Sequence, residues 1–214
     1  LTSAWRSSET WAFCIKGKDM YLIYVDTETF SPQDLSRVGA ARYAEDAQII
    51  LWSYAENDEP AKVWDRVSNP QMPADLKRMW ERLFADSDAR VVMHNGMNFD
   101  RRVFASNGFG EIPAEKIIDT MVLAYEHALP GSLEQLCEAF RLDADHAKDK
   151  DGKRLIQIFC KPLPVNYKLT RATPQTHPAE WERFKNYARL DIESMRVIYK
   201  KLCLLYTSDA ADDK

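Results

Sequence analysis

A buried strand is predicted at Tyr21-Leu-Ile-Tyr-Val-Asp-Thr-Glu-Thr-Phe30, and the other elements are arranged around it. Apolar and aromatic residues run from Tyr21 to Val25 without the spacing of a helix. Asp26 and Glu28 follow, and side chains two residues apart on a strand point to the same face. Two adjacent carboxylates raise each other's pKa unless a cation that prefers oxygen ligands, such as Mg²⁺ or Mn²⁺, binds between them. The alternative is a strand that runs out into a polar turn, and this pattern alone does not distinguish the two.

The composition is typical of a globular domain. The 214 residues are 45% hydrophobic and 29% charged, with a net charge of −4, which suits a chain that buries one core. No apolar run is long enough to span a bilayer, and residues 1–18 contain neither a signal-peptide core nor a clear periodicity. The four cysteines form no C-x-x-C pair, so we expect reduced thiols. We predict a lead-in over residues 1–18 and one domain over residues 19–203.

A basic segment lies between Lys148 and Arg171, although the chain as a whole is acidic. It carries seven basic and two acidic residues. A basic strip beside an acidic site is typical of an enzyme that grips a polyanion while it holds metal ions. The alternative is a solvated loop whose charges only confer solubility, and the segment alone does not decide between them.

The order of the predicted elements indicates an α/β domain with a mixed sheet. After the first strand, residues 31–44 are predicted to be a turn-rich connection, and strands at 47–55 and 61–67 complete an antiparallel meander. Strands and helices then alternate, and helices predominate towards the end of the chain. The other predicted elements are strands at 90–95 and 116–119 and helices at 73–86, 98–106, 120–127, 133–140, 154–160 and 178–201.

Two further acids lie at positions where they can join the first pair. Asp100 ends the stretch His94-Asn-Gly-Met-Asn-Phe-Asp100, where a predicted strand gives way to a helix. Tyr187 and Asp191 are four residues apart on the last predicted helix, so they share one face. A phenol and a carboxylate placed together can hold a metal and orient a water molecule.

These residues together resemble the motifs of the DEDD superfamily of 3′–5′ exonucleases. The tyrosine is typical of the DEDDy branch, because the DEDDh branch has a histidine where this chain has Asn186. The motifs occur in the order of that superfamily, as Asp26-x-Glu28, His94-Asn95-x-x-x-Phe99-Asp100 and Tyr187-x-x-x-Asp191.

More specifically, the chain resembles the proofreading domain of phage-type and bacterial family A DNA polymerases. This resemblance extends over roughly residues 20–202 and implies a ribonuclease-H-like fold, with helices on both sides of a mixed sheet. It also implies two divalent cations (Mg²⁺ or Mn²⁺), a polymerase domain downstream and a place in the cytoplasm of a bacterial or phage-infected cell. The segments that carry it include Asp26-Thr-Glu-Thr-Phe-Ser-Pro-Gln-Asp-Leu35, Ile118-Asp-Thr-Met-Val-Leu-Ala-Tyr125, Leu129-Pro-Gly-Ser-Leu133 and Gly152-Lys-Arg-Leu-Ile156.

The reaction implied by the resemblance is hydrolysis of the terminal phosphodiester of a single-stranded or frayed DNA 3′ end. Asp26 would bridge both ions, and Glu28 and Asp191 would complete the first site. Asp100 would hold the second ion, and Tyr187 would orient the attacking water. Phe159 and Tyr167 are expected to be available for stacking on bases. The residues expected to bind substrate are Thr27, Asn95, Phe99, Lys148, Lys150, Lys153 and Arg154.

Several neighbouring residues have a structural interpretation. We expect His94 and Asn95 to support the loop before Asp100 by hydrogen bonds, without binding metal. We expect Asp119 to cap the following helix and not to act as a fifth ligand. Two other functions stay open for the whole domain: a catalytically inactive scaffold of a polymerase, which the presence of all four acids disfavours, and a stand-alone RNA 3′-exonuclease of the same branch.

The two ends of the chain give their own expectations. The sequence does not begin with methionine, so we expect it to be part of a longer protein. Residues 204–214 resemble a translated sequencing adapter, so we expect this tail to be non-native. The alternative is an ordinary frayed tail.

Overall fold

A computed structural model describes residues 20–142, 151–164, 166–167 and 169–212. The strands in these residues are β1 (Tyr21–Phe30), β2 (Gln48–Glu56), β3 (Lys62–Asp65), β4 (Ala89–Met93) and β5 (Ile117–Asp119). The helices are α1 (Leu35–Asp46), α2 (Ala74–Ala85), α3 (Asp100–Ser106), α4 (Thr120–Glu126), α5 (Leu133–Ala139), α6 (Gly152–Phe159) and α7 (Pro178–Asp212), with a 3₁₀ turn at Ala114–Lys116.

The five strands form one mixed sheet in the order β3-β2-β1-β4-β5. β1 pairs antiparallel with β2 and β2 with β3, which is the predicted meander. β1 also pairs parallel with β4, and β4 with β5. This confirms the predicted ribonuclease-H-like arrangement and places β1 at the centre of the sheet.

The pleat of β1 assigns its residues to two faces. Ile23 and Val25 pack into one core with α2 and α3, where Trp52 is surrounded by other aromatic rings. Tyr24 points to the opposite face and packs into a second core beneath α7. Because side chains alternate along a strand, Asp26 and Glu28 emerge on the face that α7 covers.

The pairing of β1 with β2 is irregular directly after the second acid. Glu28 lies opposite Leu51, but Thr29 lies opposite Ile49, so the register shifts by one residue between them. Such bulges bend a strand and re-aim its side chains, and they occur often beside active sites. The shift marks the place where the strand leaves the acidic site.

The prediction of a turn-rich connection at residues 31–44 is wrong, because most of it is helical. Asp34 caps α1 by accepting hydrogen bonds from the backbone N–H of Ser36 at 2.9 Å and its hydroxyl at 2.6 Å. Gly39 has a φ of 76° and breaks the regular helix in the middle, which interrupts the apolar spacing along α1. The helix is held to the domain by Tyr43 and Ala44, which are buried.

Two further features differ from the expectations. The last helix was predicted to end near Lys201, but α7 continues to Asp212. Cys137 and Cys160 are free thiols, as predicted, whereas Cys203 takes part in a disulfide. Among the described residues, no helix is both long enough and apolar enough to cross a bilayer.

Candidate active site

Three of the four predicted acids converge beneath α7. Asp26 and Glu28 extend from β1, and Asp191 extends from the middle of α7. One carboxylate oxygen from each residue lies within 4.8 Å of the others. Glu28 and Asp191 are each only 9% exposed, so their negative charges are poorly hydrated. The group offers oxygen donors close enough together to be compatible with a divalent cation.

Asp100 lies beside this group at the first turn of α3. Its carboxyl Oδ1 accepts a hydrogen bond from the hydroxyl of Thr27 at 2.5 Å. Burial raises the pKa of Asp100, and the negative charge of Asp26 raises it further. The three-carboxylate group does not include Asp100, but Asp100 lies near enough to Asp26 for the charge of Asp26 to raise its pKa.

Tyr187 lies one turn before Asp191 on α7, with its ring buried. Burial, followed by the charges of Asp191, Glu28 and Asp26, raises the pKa of its phenol far above the usual range. A hydrogen bond to Asp191 also raises this pKa. The phenol is therefore protonated at every physiological pH and acts as a hydrogen-bond donor within the acidic site.

The loop that leads to Asp100 is fixed by a buried carboxylate on the neighbouring strand. Asp119 accepts hydrogen bonds from the backbone N–H groups of Asn95 at 2.9 Å and Met97 at 3.0 Å. It also accepts one from Met121 at 3.0 Å, which confirms the predicted cap of α4. Asn95 has a φ of 57°, an uncommon conformation for a residue other than glycine. Asp119 therefore holds a strained turn as well as a helix end.

His94 has the structural contacts that its position predicts. Its Nδ1 lies 2.9 Å from the hydroxyl of Thr120, and its Nε2 lies 3.0 Å from the carbonyl oxygen of Gly131. Both ring nitrogens are thus engaged with neighbouring loops. His94 links the end of β4 to the starts of α4 and α5.

The residues predicted to bind substrate fall into several environments. Lys148 and Lys150 lie outside the described residues. Lys153 is exposed and forms an ion pair with Glu134 at 3.2 Å, and Arg154 forms one with Asp151 at 3.5 Å. Thr27 is buried, and its hydroxyl donates a hydrogen bond to Asp100. Asn95 lies in the loop that Asp119 fixes. Phe99 packs on Tyr43, with ring centres 5.7 Å apart.

The prediction that Phe159 is available for base stacking is wrong. Its ring is 1% exposed and packs on Trp181 and Phe184, with ring centres 4.8 Å and 5.2 Å apart. α6 is amphipathic, and Phe159 lies on its buried face, which the sequence does not distinguish from an exposed one. Tyr167, by contrast, is 60% exposed.

Cys160 contacts the site, although no feature of the sequence around it indicates such a role. Its thiol lies 3.6 Å from Oε2 of Glu28 and can donate a weak hydrogen bond to it. Burial raises the pKa of this thiol, and the charge of Glu28 raises it further, so the sulfur stays protonated. No sequence pattern marks the contact, because it joins residues 132 positions apart.

Comparisons with known proteins show the family of this chain. Residues 5–205 match the model of the 3'-5' exonuclease family. The DNA polymerase of Bacillus phage SP02 is 34% identical over 191 residues, a match that covers 86% of this chain and 28% of that polymerase. The chain thus spans well under half of this curated relative.

Solved structures give the same fold at low sequence identity. Escherichia coli RNase D has a TM-score of 0.55 and 20% identity, and the match covers 95% of this chain and 44% of that one. Brucella melitensis NrnC has a TM-score of 0.54 and 14% identity, and the match covers 92% of this chain and 78% of that one. At these identities the two structures establish the fold alone. With the family match over almost the whole sequence, we conclude that the chain belongs to the 3'-5' exonuclease family and is related to the exonuclease part of a phage DNA polymerase.

Proposed function

We propose that this domain removes nucleotides from single-stranded or frayed DNA 3′ ends as the proofreading module of a DNA polymerase. The observation that carries the proposal is the convergence of Asp26, Glu28 and Asp191, with Asp100 and Tyr187 beside them. Family membership supports the reaction, and the relationship to a phage DNA polymerase supports DNA as the substrate.

The acidic cluster is well suited to a pair of divalent cations. Asp26 lies close to both Glu28 and Asp191 on one side and raises the pKa of Asp100 on the other. We therefore assign one ion to Asp26, Glu28 and Asp191 and a second to Asp26 and Asp100. Hard oxygen donors favour Mg²⁺ or Mn²⁺. Such a pair, when bound, lowers the pKa of the attacking water and neutralises charge on the leaving oxygen.

The side chains supply orientation and electrostatic balance. The protonated phenol of Tyr187, anchored to Asp191, can hydrogen-bond a water molecule and aim it at the terminal phosphate. Glu28 lies beside Asp191 in the same acidic group, and its proposed role is to accept a proton from that water. The hydroxyl of Thr27 donates a hydrogen bond to the Asp100 carboxyl. This bond holds the carboxyl of the fourth acid in one orientation.

We further propose that the exonuclease domain extends over residues 19–203 and that a polymerase domain follows it in the natural protein. The match to 28% of a DNA polymerase supports such a partner. Residues 204–214 are proposed to be non-native, and the cytoplasm of a bacterial or phage-infected cell is the proposed place of action. The proposed contacts to the DNA backbone are Lys148, Lys150, Lys153 and Arg154, with Thr27, Asn95 and Phe99 near the 3′ nucleotide.

A degradation assay on single-stranded oligonucleotides labelled at the 5′ end tests the function. With Mg²⁺ we expect stepwise shortening from the 3′ end, abolished by EDTA and by Asp26→Ala or Asp191→Ala. Tyr187→Phe should slow cleavage by at least about tenfold, because water orientation is lost while the carboxylates remain. Asp86→Asn, on the surface, is the control and should cleave normally.

The same assay separates the competing functions. An inactive scaffold would leave DNA intact with every metal tried. An RNA exonuclease would degrade an RNA oligonucleotide of the same sequence faster than the DNA. Circular dichroism on each variant would show that a loss of cleavage is not a loss of fold.

A further inference from the structure

Gly152, the first residue of α6, lies directly against the ring of Tyr187. A Cβ atom built on Gly152 would be 2.3 Å from Cε2 and 2.7 Å from Cδ2 of that ring. Carbon atoms pack no closer than about 3.5 Å, so no other residue fits there unless the ring moves. Both residues are buried, which makes the contact part of the interior and not a surface coincidence.

α6 contacts the same turn of α7 at two further points. Asp151, directly before α6, forms an ion pair with Arg183, one turn before the tyrosine. At the other end of α6, the ring of Phe159 stacks on Phe184 at 5.2 Å and 21°. Phe184 in turn stacks on Tyr187 at 6.2 Å and 9°. The position of the tyrosine ring is thus set from both ends of one short helix.

We propose that α6 is a positioning element for Tyr187 and that Gly152 is the residue on which this role depends. The inference rests on the proposed function, in which Tyr187 orients the attacking water. Lys153 and Arg154 follow Gly152 directly, so the segment proposed to contact DNA also holds the tyrosine. Gly152 itself is a positioning residue, because it acts through the ring of Tyr187.

The size of the expected effect follows from the contact distance. With an alanine at position 152, the ring must withdraw by about 1 Å before ordinary carbon packing is restored. A displacement of this size in a group that aligns the reacting atoms lowers the rate by up to about 100-fold. The three atoms nearest to the added Cβ all belong to the ring of Tyr187, so we expect the concentrations of Mg²⁺ and DNA that give half the maximal rate to stay the same.

A double-mutant cycle on the purified chain tests the proposal. Single-turnover cleavage of a DNA oligonucleotide is measured for the wild type, Gly152→Ala, Tyr187→Phe and the double variant. We expect Gly152→Ala to slow cleavage by about 10- to 100-fold when the tyrosine is present. In the Tyr187→Phe background the hydroxyl is already absent, so the same change should slow it by less than about twofold.

Gln157→Ala is the control on the same helix. Gln157 lies on the exposed face of α6, whereas Gly152 lies on the buried face. Cleavage by Gln157→Ala should therefore remain at the wild-type rate.

A milder variant keeps the test decisive if Gly152→Ala does not fold. Asp151→Ala removes the surface ion pairs with Arg183 and Arg154. It should slow cleavage by at most about fivefold when Tyr187 is present and should have no such effect in the Tyr187→Phe background. Equal effects in both backgrounds, or a wild-type rate for Gly152→Ala, would overturn the positioning role. If the wild-type chain itself leaves DNA intact, the proposed function fails instead.

Discussion

Replacing Asp100 by asparagine should stabilise the chain in metal-free buffer while removing its activity. Burial, and then the charge of Asp26, raises the pKa of the Asp100 carboxyl to about 8. In the unfolded chain the same carboxyl has a pKa of about 3.9. The folded protein therefore holds a proton that the unfolded chain releases between these two pH values. The stabilisation that this proton contributes is fully present below about pH 4 and is lost as the pH rises towards 8.

The magnitude follows from the width of that window. Each pH unit within the window lowers the free energy of unfolding by about 1.4 kcal/mol. The Asp100 carboxyl therefore lowers the free energy of unfolding by up to about 4 kcal/mol at pH 7. Asparagine is neutral, and its side-chain oxygen can still accept the hydrogen bond from Thr27. We expect Asp100→Asn to gain on the order of 2 to 4 kcal/mol at pH 7 and close to nothing at pH 4.

Urea unfolding in EDTA, followed by tryptophan fluorescence between pH 4 and 8, measures this difference. The control is Asp86→Asn, because hydrogen bonds from the backbone N–H of Asp88 and from the side chain of Arg82 lower the pKa of that half-exposed carboxyl. A lowered pKa has the opposite sign, so the control should lose stability above pH 4. The reasoning is refuted if Asp100→Asn is no more stable than the wild type at pH 7, or if its gain does not grow with pH.

Three further predictions concern residues around the site. Phe159→Ala should cost about 3 to 5 kcal/mol of unfolding free energy as a core deletion, whereas the exposed Tyr167→Ala should change it by less than about 0.5 kcal/mol; equal costs in chemical denaturation would contradict their different burial. Lys153→Gln with Arg154→Gln should reduce the salt dependence of single-stranded DNA binding by about 1.4 in slope, and an unchanged slope in fluorescence anisotropy titrations would show that neither side chain contacts phosphate. Cys160→Ala removes the hydrogen-bond donor to Glu28 and should raise the Mg²⁺ concentration for half-maximal cleavage by about twofold. Cys160→Ser keeps a donor and should leave that concentration unchanged. Identical Mg²⁺ titrations for the two variants would exclude a role of the Cys160 thiol in holding Glu28.

The features that sequence could predict are those with a local signal. The alternation along β1 gives both its buried face and the side on which Asp26 and Glu28 emerge. The four-residue spacing from Tyr187 to Asp191 fixes a shared helix face, and Asp119 lies where a cap is expected. These signals depend only on neighbours in the chain, and the structure has each of these elements where the sequence predicted it.

The features that sequence could not predict depend on contacts between distant segments. Gly39 interrupts the apolar spacing of α1. The sequence therefore lacks the periodicity of a helix there and predicts a connection instead. Which face of α6 is buried depends on the position of α7, and Phe159 was misassigned for that reason. The contact of Gly152 with Tyr187 and the hydrogen bond from Cys160 to Glu28 likewise exist only after folding.

Anomalous X-ray scattering from crystals of the wild-type chain soaked in Mn²⁺ would test directly whether the acids form a metal centre. We predict two peaks about 4 Å apart, one among Asp26, Glu28 and Asp191 and the other between Asp26 and Asp100. Crystals of Asp26→Asn should lose both peaks, since that residue is assigned to each ion. The absence of ordered Mn²⁺ at these carboxylates in the wild type, or peaks that persist in Asp26→Asn, would contradict the assignment.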